Sequence, residues 1–188
     1  MISLTTFVAA KLIYWRNSRG NKMQQIFKEK GTKWVIPGKV LRVESGIAIA
    51  VNFLLNGEEL NREVLSVGEI LAGADFVFCS TDCSFSEIQG KVQIELSQLL
   101  KLSKLCVIRE ERLINARLKE LFKYLIIEYS IIGDFENWIP LPFPLTQCQI
   151  AAMSSSTRVT VTRAIAQLVE QDFLRKEKRK LFVNSKYI

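Results

Sequence analysis

Arg158 and Arg163 stand five residues apart in the run "STRVTVTRAIAQLV", with threonines at 157, 160 and 162 around and between them. Arginine grips a guanine edge through a bidentate fork, and threonine hydroxyls bond phosphate. An exposed valine such as Val159 meets a thymine methyl. This is the chemistry of duplex recognition, gathered into two helical turns. Catalytic chemistry is poorly supplied by comparison. The chain has no histidine, which removes His-based triads, His general bases and His metal ligands together. It also has no Gly-rich loop ending in Lys-Ser/Thr and no acidic cluster at metal spacing, so no enzymatic activity is expected. Cys79, Cys83, Cys106 and Cys148 are scattered, unlike the clustered ligands of an iron–sulfur sensor. They read as buried or idle thiols first and as a redox switch second, with no metal site. Scattered, reduced thiols suit a cytosol-like compartment.

The helix carrying the arginines is predicted over about 157–171. At about 100° per residue, Val161, Ala164, Ile165, Leu168 and Val169 share one apolar arc, and Arg163 points away from it. Arg158 lies nearer the core edge, in a first turn from which its long side chain extends. An ordinary amphipathic helix favours acids in its first turn, where the helix dipole is positive. Here the first two turns carry arginine and hydroxyls instead, and Glu170 comes late. Such an N-terminus faces an anion, and its free backbone N–H groups add to the attraction.

Flanking elements position that helix. Thr146 with Gln149 three residues later forms a capping-box pattern, which predicts a short helix to about Met153. Ser154–Ser156 breaks it, because serine competes for backbone hydrogen bonds. After the second helix, "FLRKEKRKLFV" reads as strand, basic turn and strand, with Lys178 and Arg179 in the turn. Helix, turn, helix and hairpin is the order of a winged helix-turn-helix.

Upstream, residues 34–96 have a β texture, with "KVLRVESGIAIAVNFLL", an Asn-Gly turn and then "NREVLSVGEIL". Asn-Gly between β-rich runs is a strong hairpin signal, and glycines at 38, 46, 68, 73 and 90 punctuate short strands, as in a sandwich or barrel. From about 96 to 132 the texture is helical. Val107, Ile114, Leu118, Leu121, Leu125 and Ile132 follow steps of seven, four and three and predict one long striped helix, with the charged patch "REER" (109–112) between apolar stretches. Such a stripe packs within its own domain or against a second copy. Prolines at 140, 142 and 144 then exclude helix and mark a boundary.

Of the 188 residues, 1–36 carry seven Lys/Arg against one acid, 37–136 carry eleven against fifteen, and 137–188 carry eight against three. Basic ends on an acidic middle suggest that one module meets a polyanion while another does something else. No apolar stretch approaches the ~18–20 residues of a membrane span, so no membrane is expected. In "MISLTTFVAAKLIYWRNSRG" the charges follow the apolar part, which reads as a first structured segment and not as a targeting segment.

"LTQCQIAAMSSSTRVTVTRAIAQLVEQDFL" resembles the DNA-binding end of the cyclic-AMP-receptor and fumarate-nitrate-regulator (Crp/Fnr) family. The T-R-V-T-V-T-R string is most similar to the cyanobacterial and plastid nitrogen-control branch. The resemblance is specific over 145–183 and looser over 34–132, and before Trp34 there is none. It implies an α+β fold: an N-terminal β-roll sensor domain (cupin-like, cyclic-nucleotide-binding-like) over 1–96, a long connecting and dimerisation helix region over 97–132, and a C-terminal winged helix-turn-helix over 133–188. It further implies a homodimer on palindromic double-stranded DNA, control of transcription by contact with RNA polymerase, and a place in the cytoplasm or plastid stroma. Arg158, Val159 and Arg163 fall on the family's base-reading positions. Thr157, Thr160 and Thr162 fall on backbone-contacting or supporting ones.

The chain departs from the family in three places. Ser155 stands at the turn position usually held by glycine. The connecting helical region is short. Gly68-Glu69-Ile70 is followed by "LAGADFVFCSTDCSFSEIQGK", without the arginine that holds a cyclic phosphate, so cyclic-nucleotide binding is not expected. The nitrogen-control branch responds to 2-oxoglutarate, so the resemblance implies that molecule as a candidate effector; the basic residues for its carboxylates are not assigned, and no other cofactor is expected. A constitutive DNA-binding protein whose β-domain is only a dimerisation scaffold is the alternative.

Overall fold

The computed structural model describes residues 12–16, 22–36, 38–55, 57, 59–88, 96–130, 137–178 and 180–188. Nine strands come first: β1 (Leu12–Arg16), β2 (Lys22–Lys28), β3 (Lys33–Val35), β4 (Leu41–Ser45), β5 (Ala48–Phe53), β6 (Glu59–Leu65), β7 (Ile70–Leu71), β8 (Phe76–Cys79) and β9 (Cys83–Glu87). They form two antiparallel sheets, in the orders β1-β2-β9-β4-β7 and β3-β8-β5-β6. The sheets share a core of Leu41, Val43, Leu71 and Phe85 from the first and Ala48, Ala50, Leu65 and Val77 from the second. Alternation along β5 sends Ile49 and Val51 to the opposite face, where they join Val64 and Phe76 in a second core. The second sheet is therefore covered on both faces, which explains the unbroken "IAIAV".

β5 and β6 pair as the Asn-Gly hairpin predicts, although the connection is a five-residue loop, 54–58. Asn56 lies outside the described residues. Gly46 is required where β4 turns into β5: its φ is +87°, and a Cβ there would lie 2.2 Å from the Asp82 carbonyl oxygen.

The predicted single long helix is two, α1 (Leu96–Glu110) and α2 (Ile114–Tyr129). The break falls in the "REER" patch. Arg117 of α2 donates through Nε to the Glu111 carbonyl at 2.7 Å, and through Nη2 to the same oxygen. Leu113 takes an extended conformation at the start of α2. The predicted stripe divides accordingly: Leu118, Leu121 and Leu125 are buried, whereas Val107 on α1 is 69% exposed. Ile132 lies outside the described residues.

α1 is fixed to the β-domain by polar contacts on its inner face. The buried Gln98 accepts from Ile70 N at 3.0 Å and donates to Ile70 O at 2.6 Å. Lys101 pairs with Glu69 at 3.0 Å and lies 5.0 Å from the Tyr129 ring centroid. Lys104 pairs with Glu128 of α2 at 2.5 Å. Tyr129 donates to the Val64 carbonyl at 2.9 Å, and burial raises its hydroxyl pKa well above the ordinary tyrosine value, so it stays protonated and donating. The outer face of α1 carries Leu96, Leu99, Leu100 and Val107, all exposed.

The remainder forms a compact reader: β10 (Trp138–Pro140), α3 (Gln147–Met153), α4 (Arg158–Glu170), β11 (Leu174–Glu177) and β12 (Lys180–Asn184), with a short 3-10 turn at Ser185–Tyr187. The proline-rich stretch is more than a boundary, because β10 pairs with β12 in a three-stranded sheet of order β10-β12-β11. Pro140 is tolerated there because β10 is an edge strand. No helix among the described residues is long and apolar enough to cross a membrane.

Candidate nucleic-acid interface

Thr157 is the N-cap of α4, and its hydroxyl accepts from Thr160 N at 3.2 Å. The two threonine hydroxyls also share a 2.8 Å hydrogen bond. Thr162 Oγ1 lies 2.8 Å from Arg158 O and 2.9 Å from Gln147 Oε1 of α3, its single proton shared between the two acceptors across the helix pair. These local hydrogen bonds answer the poor helix propensity of the threonines. Val161, Ala164, Ile165 and Leu168 are buried. Val169, placed on the apolar arc by sequence, lies at its edge and is 40% exposed.

Thr157, Arg158, Val159, Thr160, Thr162 and Arg163 are all exposed on α4, Val159 at 60%. The exposed surface of the first two turns thus presents two guanidinium groups, an apolar side chain and several hydroxyls, with no acidic residue in the first turn. Both arginines are without a carboxylate partner among the described residues, so their forks are open to an outside ligand.

α3 sets the angle of α4. Its capping box is complete: Gln149 N donates to Thr146 Oγ1 at 3.2 Å, and Thr146 N donates to Gln149 Oε1 at 2.8 Å. Ser154, fully buried, donates back to Ile150 O at 2.7 Å. Ser155 then takes φ +49°, the left-handed conformation that glycine adopts without cost. Arg117 donates to Ser154 O at 2.8 Å and steadies the turn from behind.

The hairpin β11–β12 brings Lys176, Lys178 and Lys180 to one rim of a groove of about 270 Å³, whose other walls are Leu145, Gln147, Ile150, Ile165 and Leu181. Lys178 sits at the turn with φ +53°. Arg179 lies outside the described residues. Sequence reasoning missed Gln147, Lys176 and Lys180. The lysines were visible as charge in "RKEKRK", but the register pairs Lys176 with Leu181 and Lys180 with Glu177, so alternation alone does not bring both to this groove.

The other singled-out residues lie elsewhere. Cys79 and Cys83 are buried next to each other in the β-domain, where the hydrogen bond between them raises the Cys79 pKa and lowers that of Cys83. Cys106 and Cys148 are exposed. Among the described residues no group of three or more His, Cys, Asp or Glu is placed to hold a metal ion.

Residues 116–185 match the family model of the Crp-like helix-turn-helix domain. Over these residues the C-terminal part is similar to Crp-like helix-turn-helix domains. The match begins inside α2. A search of curated proteins finds no match to the chain. Among solved structures the chain is similar to TTHB099, a CRP-family transcriptional regulator from Thermus thermophilus. The TM-score is 0.68 at 12% identity, over 84% of this chain and 90% of that one. TTHA1359, a CRP/FNR-family transcriptional regulator from the same organism, aligns with a TM-score of 0.67 at 18% identity, over 85% and 92%. FixK2 from Bradyrhizobium japonicum aligns with a TM-score of 0.64 at 15% identity, over 86% and 92%. The chain has the fold of these Crp/Fnr-family structures: a β-sheet domain followed by a Crp-type helix-turn-helix.

Proposed function

We propose that the chain is a sequence-specific transcription regulator that binds a palindromic duplex as a homodimer and contacts RNA polymerase. DNA binding, and not catalysis, is its activity. The observation that carries this reading is that the first turns of α4 are exposed and free of acidic residues, and that Gln147, which bonds Thr162 of α4, also lines the groove of the hairpin lysines. α4 enters the major groove, Arg158 and Arg163 reach base edges, Val159 meets a thymine methyl, and Thr157, Thr160 and Lys178 contact the backbone. The outer face of α1 supplies the dimer seam. Leu96, Leu100 and Val107 share one face with Leu99 beside them and the polar Ser103 between Leu100 and Val107, and this largely apolar strip is uncovered in the single chain. The T-R-V-T-V-T-R string supports the nitrogen-control branch. Hydroxyl-radical footprinting tests the reading. Two protected patches separated by about one helical turn, ~10 bp, are expected, and uniform or single-patch protection contradicts it.

A second reading, with the β-domain as a scaffold and not a sensor, is favoured by one observation. The Gly68–Ile70 edge is already engaged by α1, through Gln98 on both polar groups of Ile70 and Lys101 on Glu69. A separate cavity of about 580 Å³, lined by Ile47, Val67, Tyr129, Leu141 and neighbours, carries no charged side chain among the described residues. A dicarboxylate such as 2-oxoglutarate has no cation to meet there and is not part of the proposal. Protection of the β-domain from proteolysis by a metabolite would exclude the scaffold reading.

A further inference from the structure

Arg109 is a half-buried guanidinium at the last turn of α1, and among the described residues no carboxylate pairs with it. Burial works against its charge and lowers its pKa. Its donors go to backbone carbonyls in two other parts of the molecule. Nε donates to Met153 O, at the C-terminus of α3, at 3.0 Å. Nη2 donates to Asn61 O of β6. Asn61 completes the triangle, since its side-chain Nδ2 donates to Gln149 O of α3 at 3.1 Å. The carbonyl end of a helix is the negative end of its dipole, so a cation is favoured there. The planar fork also fixes direction as well as distance, which a flexible ammonium does not.

The placement matters because of what lies on each side. α1 carries the proposed dimer seam on its outer face, and α3 sets the angle of α4. The chain connects them through the short break 111–113, where Arg117 holds Glu111 from the reader side. Beside that covalent link, Arg109 bonds the seam helix directly to α3.

We propose that Arg109 is a positioning residue that sets the separation of the two recognition helices, and so the half-site spacing the dimer accepts. This rests on the dimeric DNA-binding reading above. In a two-fold dimer joined along α1, each reader sits where its joint to α1 holds it. A firm joint admits one spacing and a loose joint admits several. A purely stabilising contact would lower affinity for every site alike and leave the spacing preference intact.

The test uses full-length protein and a palindrome selected from random duplexes. Affinities are measured for that site and for versions with one base pair added or removed between the half-sites. The wild type is expected to lose at least about tenfold on either altered spacing. Arg109→Gln is expected to bind the original site more weakly and to show less than about a threefold spacing penalty, with Arg109→Lys between the two. A folded Arg109→Gln that keeps the full wild-type penalty overturns the proposal. If circular dichroism shows that variant unfolded, Arg109→Lys decides by the same comparison, and an unchanged penalty overturns the proposal. A wild type that selects no palindrome, or ignores spacing, refutes the dimeric reading itself, and the role of Arg109 falls with it.

Discussion

Ser155 and Arg158 stand three positions apart, one shaping the turn and the other facing outward from α4. The φ of +49° at Ser155 is sustained by its surroundings and not by its own preference. Ser155→Gly is expected to raise stability by about 0.5–1 kcal/mol, the strain relieved less the added unfolded-chain entropy. Urea denaturation measures it, and a loss of stability would show that serine makes a compensating contact. The base contact proposed for Arg158 and the backbone contact proposed for Lys178 predict different losses. Arg158→Ala is expected to cost about 1–3 kcal/mol on the preferred site and to relax base preference there, whereas Lys178→Ala weakens all duplexes alike and flattens the salt dependence. Titrations against matched and single-base-changed duplexes at several salt concentrations check both. At this scale the sequence was informative. The capping box, the serine turn and the outward arc of α4 depend on residues within four positions of one another, and local spacing specifies them. Val169 was misplaced because a wheel gives direction and not the depth of the neighbouring core.

Among the elements, α1 differs most from expectation. Periodicity read across 107–132 joined two helices into one, because apolar steps of three and four continue through the charged break. What divides them is Arg117 folding back on Glu111, and no window average registers that contact. The result turns Leu96, Leu99, Leu100 and Val107 outward. Leu100→Asp with Val107→Asp is expected to convert dimer to monomer in light scattering, and to cut affinity for a palindromic site by about 10²-fold by removing bivalency. A dimer of unchanged stability would place the seam elsewhere. β10 was also missed, since three prolines argue against regular structure. An edge strand needs only one side of its backbone, and β12 supplies the partner from 42 to 46 residues away.

In the whole molecule, the outer face of the second sheet, α1, α2 and the reader share one continuous apolar core. The order of modules was legible in the sequence, because each has its own periodicity and turn residues. The joints were not. Gln98 with Ile70, Arg109 with Met153 and Tyr129 with Val64 join side chains to backbone groups across long sequence separations, and nothing in the type of either residue announces the pairing. Gln98→Ala should destabilise the protein by about 2–4 kcal/mol in chemical denaturation, because it strands both polar groups of Ile70 in a buried place. A change under about 0.5 kcal/mol would mean that water or a neighbour replaces both bonds.

The central claim is that this chain reads a two-fold-symmetric DNA sequence through α4. Selection of bound molecules from a random duplex library by the full-length protein tests it most directly. The account predicts an enriched palindrome with half-site centres about 10 bp apart, lost when Arg158 and Arg163 are both replaced by alanine. Enrichment of no palindrome, or the same palindrome from the double variant, would contradict it.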